Sequence, residues 1–98
     1  MSATHTLKTL SRFYRAVERG DKTFEVRRND RDFQTGDTLV LVEIGEPGFE
    51  PGKATGFQIE RRVSYMLQGG QFGVDPAYCI LGLAQPTLAR SLSEDKAQ

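Results

Sequence analysis

Apolar residues recur along this chain at two spacings, and the switches between them mark the elements. His5–Thr9 alternates weakly and reads as a short first strand. Leu10, Phe13, Tyr14 and Val17 then follow i, i+3, i+4, i+7, which places one apolar stripe on a helix from about Ser11 to Arg19. Thr9 or Ser11 suits the helix start, and Gly20 suits the left-handed position just past its end. Lys22–Arg28 returns to period two, with Phe24 and Val26 on one face and Glu25 and Arg27 on the other. Asn29–Asp37 is a polar connection anchored by Phe33. Its Gly36-Asp37 turn signal precedes Thr38–Ile44, which is apolar on both faces, as a central strand is. Gly45–Lys53 holds two prolines and three glycines and reads as an irregular surface loop.

Thr55–Leu67 alternates again, with Phe57, Ile59, Val63, Tyr65 and Leu67 directed inward. Arg61 interrupts that inward series, and a β-bulge at Arg61 is preferred over a charge that points somewhere useful. Gln68–Pro76 is a glycine-rich loop and Tyr78–Leu83 a final buried strand. The predicted core joins Leu10, Phe13, Val17, Phe24, Val26, Leu39, Leu41, Ile59, Val63, Ile80 and Leu83. One helix among several strands of mixed spacing makes the fold class α+β.

Ninety-eight residues leave room for one domain, expected over 1–84, with 85–98 as a flexible C-terminal tail. Cys79 is the sole cysteine, which removes intramolecular disulfides and four-thiolate zinc sites, and His5 is the sole histidine. No metal or other cofactor is expected. The first residues lack the apolar run of a signal peptide, and no segment approaches the length of a membrane span, so the expectation is a monomer in the cytoplasm with no membrane partner. Net charge is zero, yet residues 1–31 carry eight Lys/Arg against four acids, whereas residues 32–60 carry Lys53 against six. A polyanion should therefore meet the N-terminal third.

The segment Gly20-Asp-Lys-Thr-Phe-Glu-Val-Arg27, followed by Phe33-Gln-Thr-Gly-Asp37, resembles the GxKxxExR signature of ASCH domains, small relatives of the PUA-like barrels. The continuation Asn29-Asp-Arg-Asp-Phe33 is similar to an uncharacterised bacterial and phage branch. The resemblance covers about Thr6 to Leu83. It implies a small β-barrel of five or six strands with one or two helices, and a cleft where the signature strand meets the helix. One ASCH branch contains amidohydrolases acting on acetylated cytidine, with a lysine matching Lys22 and a nucleophilic threonine where this chain has Glu25. A carboxylate is not the activated hydroxyl that acyl transfer needs.

The chemistry of the signature suits a polar ligand. Lys22 can reach a phosphate or carboxylate, and Arg27 offers a planar fork for bidentate contact or stacking. Glu25 can accept from an exocyclic amine or simply hold the two cations, and alternation alone does not separate these roles. Asn29 and Arg31 lie in a charged run that is either a solvated turn or a cleft rim, while Lys8, Arg12 and Arg15 could extend a phosphate track or only solubilise their elements. Gly69-Gly-Gln-Phe-Gly73 lacks the Lys-Ser/Thr of a phosphate loop and reads as a turn, and Cys79 reads as core.

Three function classes remain. The first is an RNA, nucleotide or modified-base binding module using Lys8, Arg12, Lys22, Glu25, Arg27, Asn29 and Arg31. The second is a small nucleoside or RNA hydrolase in which Lys22 and Glu25 would do acid–base work. The third is a phage or mobile-element protein-interaction factor, with Glu43, Glu46 and Glu50 as its acidic surface.

Overall fold

The computed structural model describes residues 2–48 and 50–86. The elements run β1 (Thr4–Leu10), α1 (Ser11–Arg19), β2 (Phe24–Arg28), β3 (Thr38–Ile44), β4 (Ala54–Gln68) and β5 (Tyr78–Ala84). They form a small α+β fold: one helix and a five-stranded sheet of order β1-β3-β4-β5-β2, curled into a half-barrel. β1 pairs parallel with β3, and the other neighbours pair antiparallel. Thr38–Ile44 is flanked on both sides as expected, although the long β4 is the middle strand. The expected tail lies almost wholly outside the described residues.

The concave side of the sheet buries Leu7, Leu39, Leu41, Val63, Cys79 and Leu81, and Tyr14 and Val17 of α1 and Phe33 close over them. Two expectations about the helix are corrected. Tyr14 rather than Phe13 enters the core, and Phe13 stays 41% exposed. Neither Thr9 nor Ser11 caps the helix: Leu10 is the capping position, without a side-chain bond. The Arg12 N–H instead donates to Glu46 Oε2 at 2.6 Å, from the loop after β3. Gly20 does occupy the left-handed position, with φ 88°, where a glycine avoids the Cβ penalty.

The bulge in β4 is also placed differently. Arg61 pairs regularly with Leu39, so the register carries its side chain to the concave side, and the slip falls between Val63 and Tyr65. One extra residue there inverts the parity of the rest of the strand. Tyr65 is consequently exposed and Met66 packs on the core in its place. Ile80 likewise lies on the outer side, because Cys79 and Leu81 face in.

Two buried carboxylates secure the ends of the half-barrel. Asp37 accepts from the N–H groups of Ala3 and Gln34, each at 3.0 Å, and meets His5 Nε2 at 2.8 Å. His5 therefore sits in a formed strand, its ring edge-on to Phe33 at 4.7 Å. Glu43 is fully buried and accepts from Ser11 Oγ (2.5 Å), Thr55 Oγ1 (2.6 Å) and Arg15 Nε (2.9 Å). This takes Glu43 out of any acidic interaction surface with Glu46 and Glu50. Burial would raise both carboxyls. The hydrogen bonds and cationic neighbours outweigh it and hold both below their ordinary values of 3.8 for Asp37 and 4.5 for Glu43.

A depressed folded pKa contributes stability that is present above the ordinary value and lost as pH falls through the folded one. The urea midpoint should thus fall as pH drops below 4.5 and then 3.8. Glu43→Gln should be less stable at neutral pH but show a shallower acid loss. Unfolding curves of both proteins across that range check the sign.

Candidate functional site

The period-two pattern of β2 defines two faces, and the apolar one is not the one that enters the barrel. Glu25 is buried, while Phe24 and Val26 are 44% and 51% exposed. This overturns the placement of Phe24 and Val26 in the core. The reason lies in the partners available. Lys22 Nζ donates to Glu25 Oε2 at 2.5 Å, and Arg27 Nε donates to Glu25 Oε1 at 3.0 Å, so both carboxylate oxygens are neutralised locally. A buried charge is tolerated when it is paired and hydrogen-bonded in this way.

Arg27 does more than pair with Glu25. Its Nη1 donates to the Lys8 carbonyl at 3.1 Å and its Nη2 to Thr9 Oγ1 at 2.9 Å, both on β1. Further along, Arg31 Nη1 donates to the Thr6 carbonyl at 2.7 Å. β1 and β2 are the two edges of the sheet, so the guanidinium groups bridge the seam where a closed barrel would have a backbone ladder. Lys22, Glu25 and Arg27 thus stand together with buried Thr9, and Arg31 belongs to the same seam.

The remaining candidates are scattered. Lys8 lends its carbonyl, but its side chain alternates to the outer face. Asn29 donates its N–H to the Ala77 carbonyl at 2.9 Å, and its Oδ1 is buried without a partner. Arg12 starts α1, with its guanidinium 3.7 Å from Glu46 and against the Phe13 ring, the ring that the Lys22 ammonium also approaches. Cys79 is buried, and burial first, then the Asp30 charge, pushes its thiol up, which suits a core residue. Among the described residues no cluster of three His, Cys, Asp or Glu is placed to hold a metal, and no helix is long and apolar enough to cross a membrane.

Beside the cluster, under the C-terminal end of α1, lies a groove of about 270 Å³ lined by Val17, Gly20, Lys22, Thr23, Arg61 and Leu83. Arg61 is the residue for which sequence reasoning preferred a bulge over a charge put to use. Its Nη1 and Nη2 donate to the carbonyls of Glu60 (2.8 Å) and Val17 (3.4 Å), holding the guanidinium at the groove. The signal is a charge in an inward apolar series, which a bulge would also explain, but the bulge lies further along. Among the described residues no carboxylate lines this groove, and Lys22 at its edge is flanked by the Phe13 and Phe24 rings at 5.5 and 4.9 Å. A larger depression of about 520 Å³ at the other end of the helix includes Arg15, Glu43, Glu46, Glu50 and Lys53. Its charges pair among themselves, Glu43 with Arg15 at 2.9 Å and Glu50 with Lys53 at 3.1 Å. The smaller groove therefore holds two cations that keep part of their donor sets free, Lys22 being engaged by Glu25 and the Phe24 carbonyl and Arg61 by the Glu60 and Val17 carbonyls.

Residues 4–83 match a family model described as a domain of unknown function, DUF3850. A protein of Escherichia phage P2, described as an uncharacterized 12.9 kDa protein in the GpA 3' region, is 33% identical over 64 residues, covering 65% of this chain. The chain spans 54% of that relative, about half its length. The family match runs from the start of β1 into the end of β5 and takes in the whole half-barrel with its Arg27 seam: the chain belongs to the DUF3850 family.

Proposed function

We propose that this protein is a nucleic-acid or nucleotide-binding module, with RNA as the preferred class, and that the groove beside the Gly20–Arg27 segment receives the phosphate-bearing part of the ligand. The observation that carries this reading is the groove lined by Lys22 and Arg61, with no carboxylate among the described residues that line it. Lys22 gives one proton to Glu25 and another to the Phe24 carbonyl at 2.6 Å, which leaves its third for a ligand. Phe13 and Phe24, both exposed, offer ring faces beside that ammonium on which a base can stack. The curled sheet, the single helix and the Gly20-x-Lys22-x-x-Glu25-x-Arg27 segment together support reading the family as a branch of the ASCH, PUA-like barrels. Action in the cytoplasm accords with a single buried cysteine.

Binding is put ahead of hydrolysis because of the state of Glu25. Both its oxygens already accept from cations, so neither is free to take a proton from a substrate, and the position holds no hydroxyl. Arg27 is assigned chiefly to the seam and Lys22 with Arg61 to the ligand.

This reading has four measurable consequences. Lys22→Ala and Arg61→Ala should each weaken binding of a nucleoside monophosphate or short RNA by about 1.5–3 kcal/mol, the range for hydrogen bonds to charged groups. The affinity should also fall as salt rises. An NMR titration in which both folded variants bind as the wild type does would remove the groove as the site. Arg27→Ala should instead lower unfolding stability on the order of 2–4 kcal/mol, because it leaves a buried carboxylate half-paired and the seam unbridged. Urea unfolding reads that loss directly. Incubation with acetylated cytidine should release no acetate, and turnover that disappears in Lys22→Ala would show that Glu25 serves in place of the threonine.

A further inference from the structure

The outer side of the sheet carries a pattern that the groove does not use. Strand pairing sets Phe24, Gly82 and Tyr65 in one row and Val26, Ile80 and Leu67 in the next, with Arg28 opposite Tyr78 beyond them. Directly paired residues point to the same face, so these form one apolar surface across β2, β5 and β4. It stands open to solvent: Tyr65 is 66% exposed, Val26 51%, Phe24 44% and Tyr78 38%. A contiguous patch of this kind marks a surface with a partner.

Its charge and shape narrow the partner. Among the outward strand residues the charges are Lys8, Arg28 and Arg62 against Glu60, because Glu25 and Glu43 turn inward. The zero net charge of the chain thus conceals a cationic outer face. Arg28 Cζ lies 5.9 Å from the Tyr78 ring centroid, a cation resting on an aromatic. In the first row Phe24 and Tyr65 are two strand spacings apart, about 10 Å. Between them Gly82 has no side chain, and a Cβ there would meet Ser64 Oγ at 2.9 Å. The bulge therefore keeps a gap between two exposed rings, with a hydroxyl at its floor.

We propose that the outer face of β2, β5 and β4 is a stacking platform for single-stranded nucleic acid, with bases on Tyr65, Phe24 and Tyr78 and phosphates met by Arg28 and Arg62. Exposed aromatics on a strand surface bordered by cations supply the two elements such binding needs, a π-face for each base and a charge for the backbone. A second copy of this chain fits less well. A two-fold interface sets the same patch against itself, which would bring Arg28 and Arg62 toward their own copies with only Glu60 to offset them. The platform meets the groove only at Phe24: Tyr65, Tyr78 and Arg28 belong to it alone, and the groove lies under the helix.

Fluorescence anisotropy with a labelled oligouridine of about a dozen nucleotides, a length that spans such a platform, tests the inference. Tyr65→Ala should weaken binding about tenfold, within the effect of losing one stacked base, whereas Tyr65→Phe should bind as the wild type does. Arg28→Ala should reduce the salt dependence of binding. Nucleoside monophosphate binding should be unchanged in all three, so a failure of the groove reading, seen as no mononucleotide binding by the wild type, leaves the oligonucleotide result to be read separately. The platform is overturned if the wild type does not bind the oligonucleotide, or if Tyr65→Ala and Phe24→Ala, both folded by circular dichroism, bind it undiminished. A wild-type dimer in sedimentation that Tyr65→Ala dissociates, with no change in RNA binding, would overturn it in favour of self-association.

Discussion

The buried cluster of Glu25 with Lys22 and Arg27 is the interaction on which the rest of the architecture depends. A curled five-stranded sheet has two edges, and edges expose unpaired backbone groups. Here the β1 edge is met by the guanidinium of Arg27, which reaches the Lys8 carbonyl and Thr9 while Glu25 holds it from behind. Without the carboxylate, two cations would crowd one another at the seam. Without the arginine, a carboxylate only 5% exposed would keep one cationic partner, Lys22. The cost of burying these charges is offset only when all three are present.

That cluster also decides which way β2 faces. Once Glu25 and Arg27 turn inward to the seam, strand geometry turns Phe24 and Val26 outward. The exposed apolar surface follows from the polar interior of the strand, and the two proposed binding surfaces are consequences of one orientation. Phe24 lies where they meet, beside the Lys22 ammonium and at the end of the row that continues to Tyr65.

A second polar group performs a similar task at the other end of the helix. Glu43 continues the inward series of Leu39 and Leu41, so β3 delivers a carboxylate to the place where a hydrophobic residue would be expected. It accepts from Ser11 and Arg15 of α1 and from Thr55 of β4, and Glu46 supplies the missing helix cap. The helix is therefore anchored by charges at its start and by Tyr14 and Val17 along its buried face. Its position fixes the groove that Lys22 and Arg61 line.

Much of the fold is written in local periodicity. The helix from Ser11 to Arg19, its glycine stop, the α+β class and the approximate limits of every strand follow from spacings of 3.6 and 2 and from turn residues, which are properties of neighbouring positions. The same alternation places Glu25 and Arg27 on one face, and Lys22 does join them. What alternation cannot supply is which face is the inside, because that depends on whether distant residues neutralise the polar one. Thr9 and the Lys8 carbonyl, from the far edge of the sheet, do so for β2, and Ser11, Arg15 and Thr55 do so for Glu43. The position of the bulge is equally non-local: the parity of Tyr65 and Met66 is set by how β4 slips against β5, and the inward course of Arg61 by its pairing with Leu39. Sequence by itself determined the elements and the chemistry on each of their faces, and the closing of one sheet edge on the other decided which of those faces met.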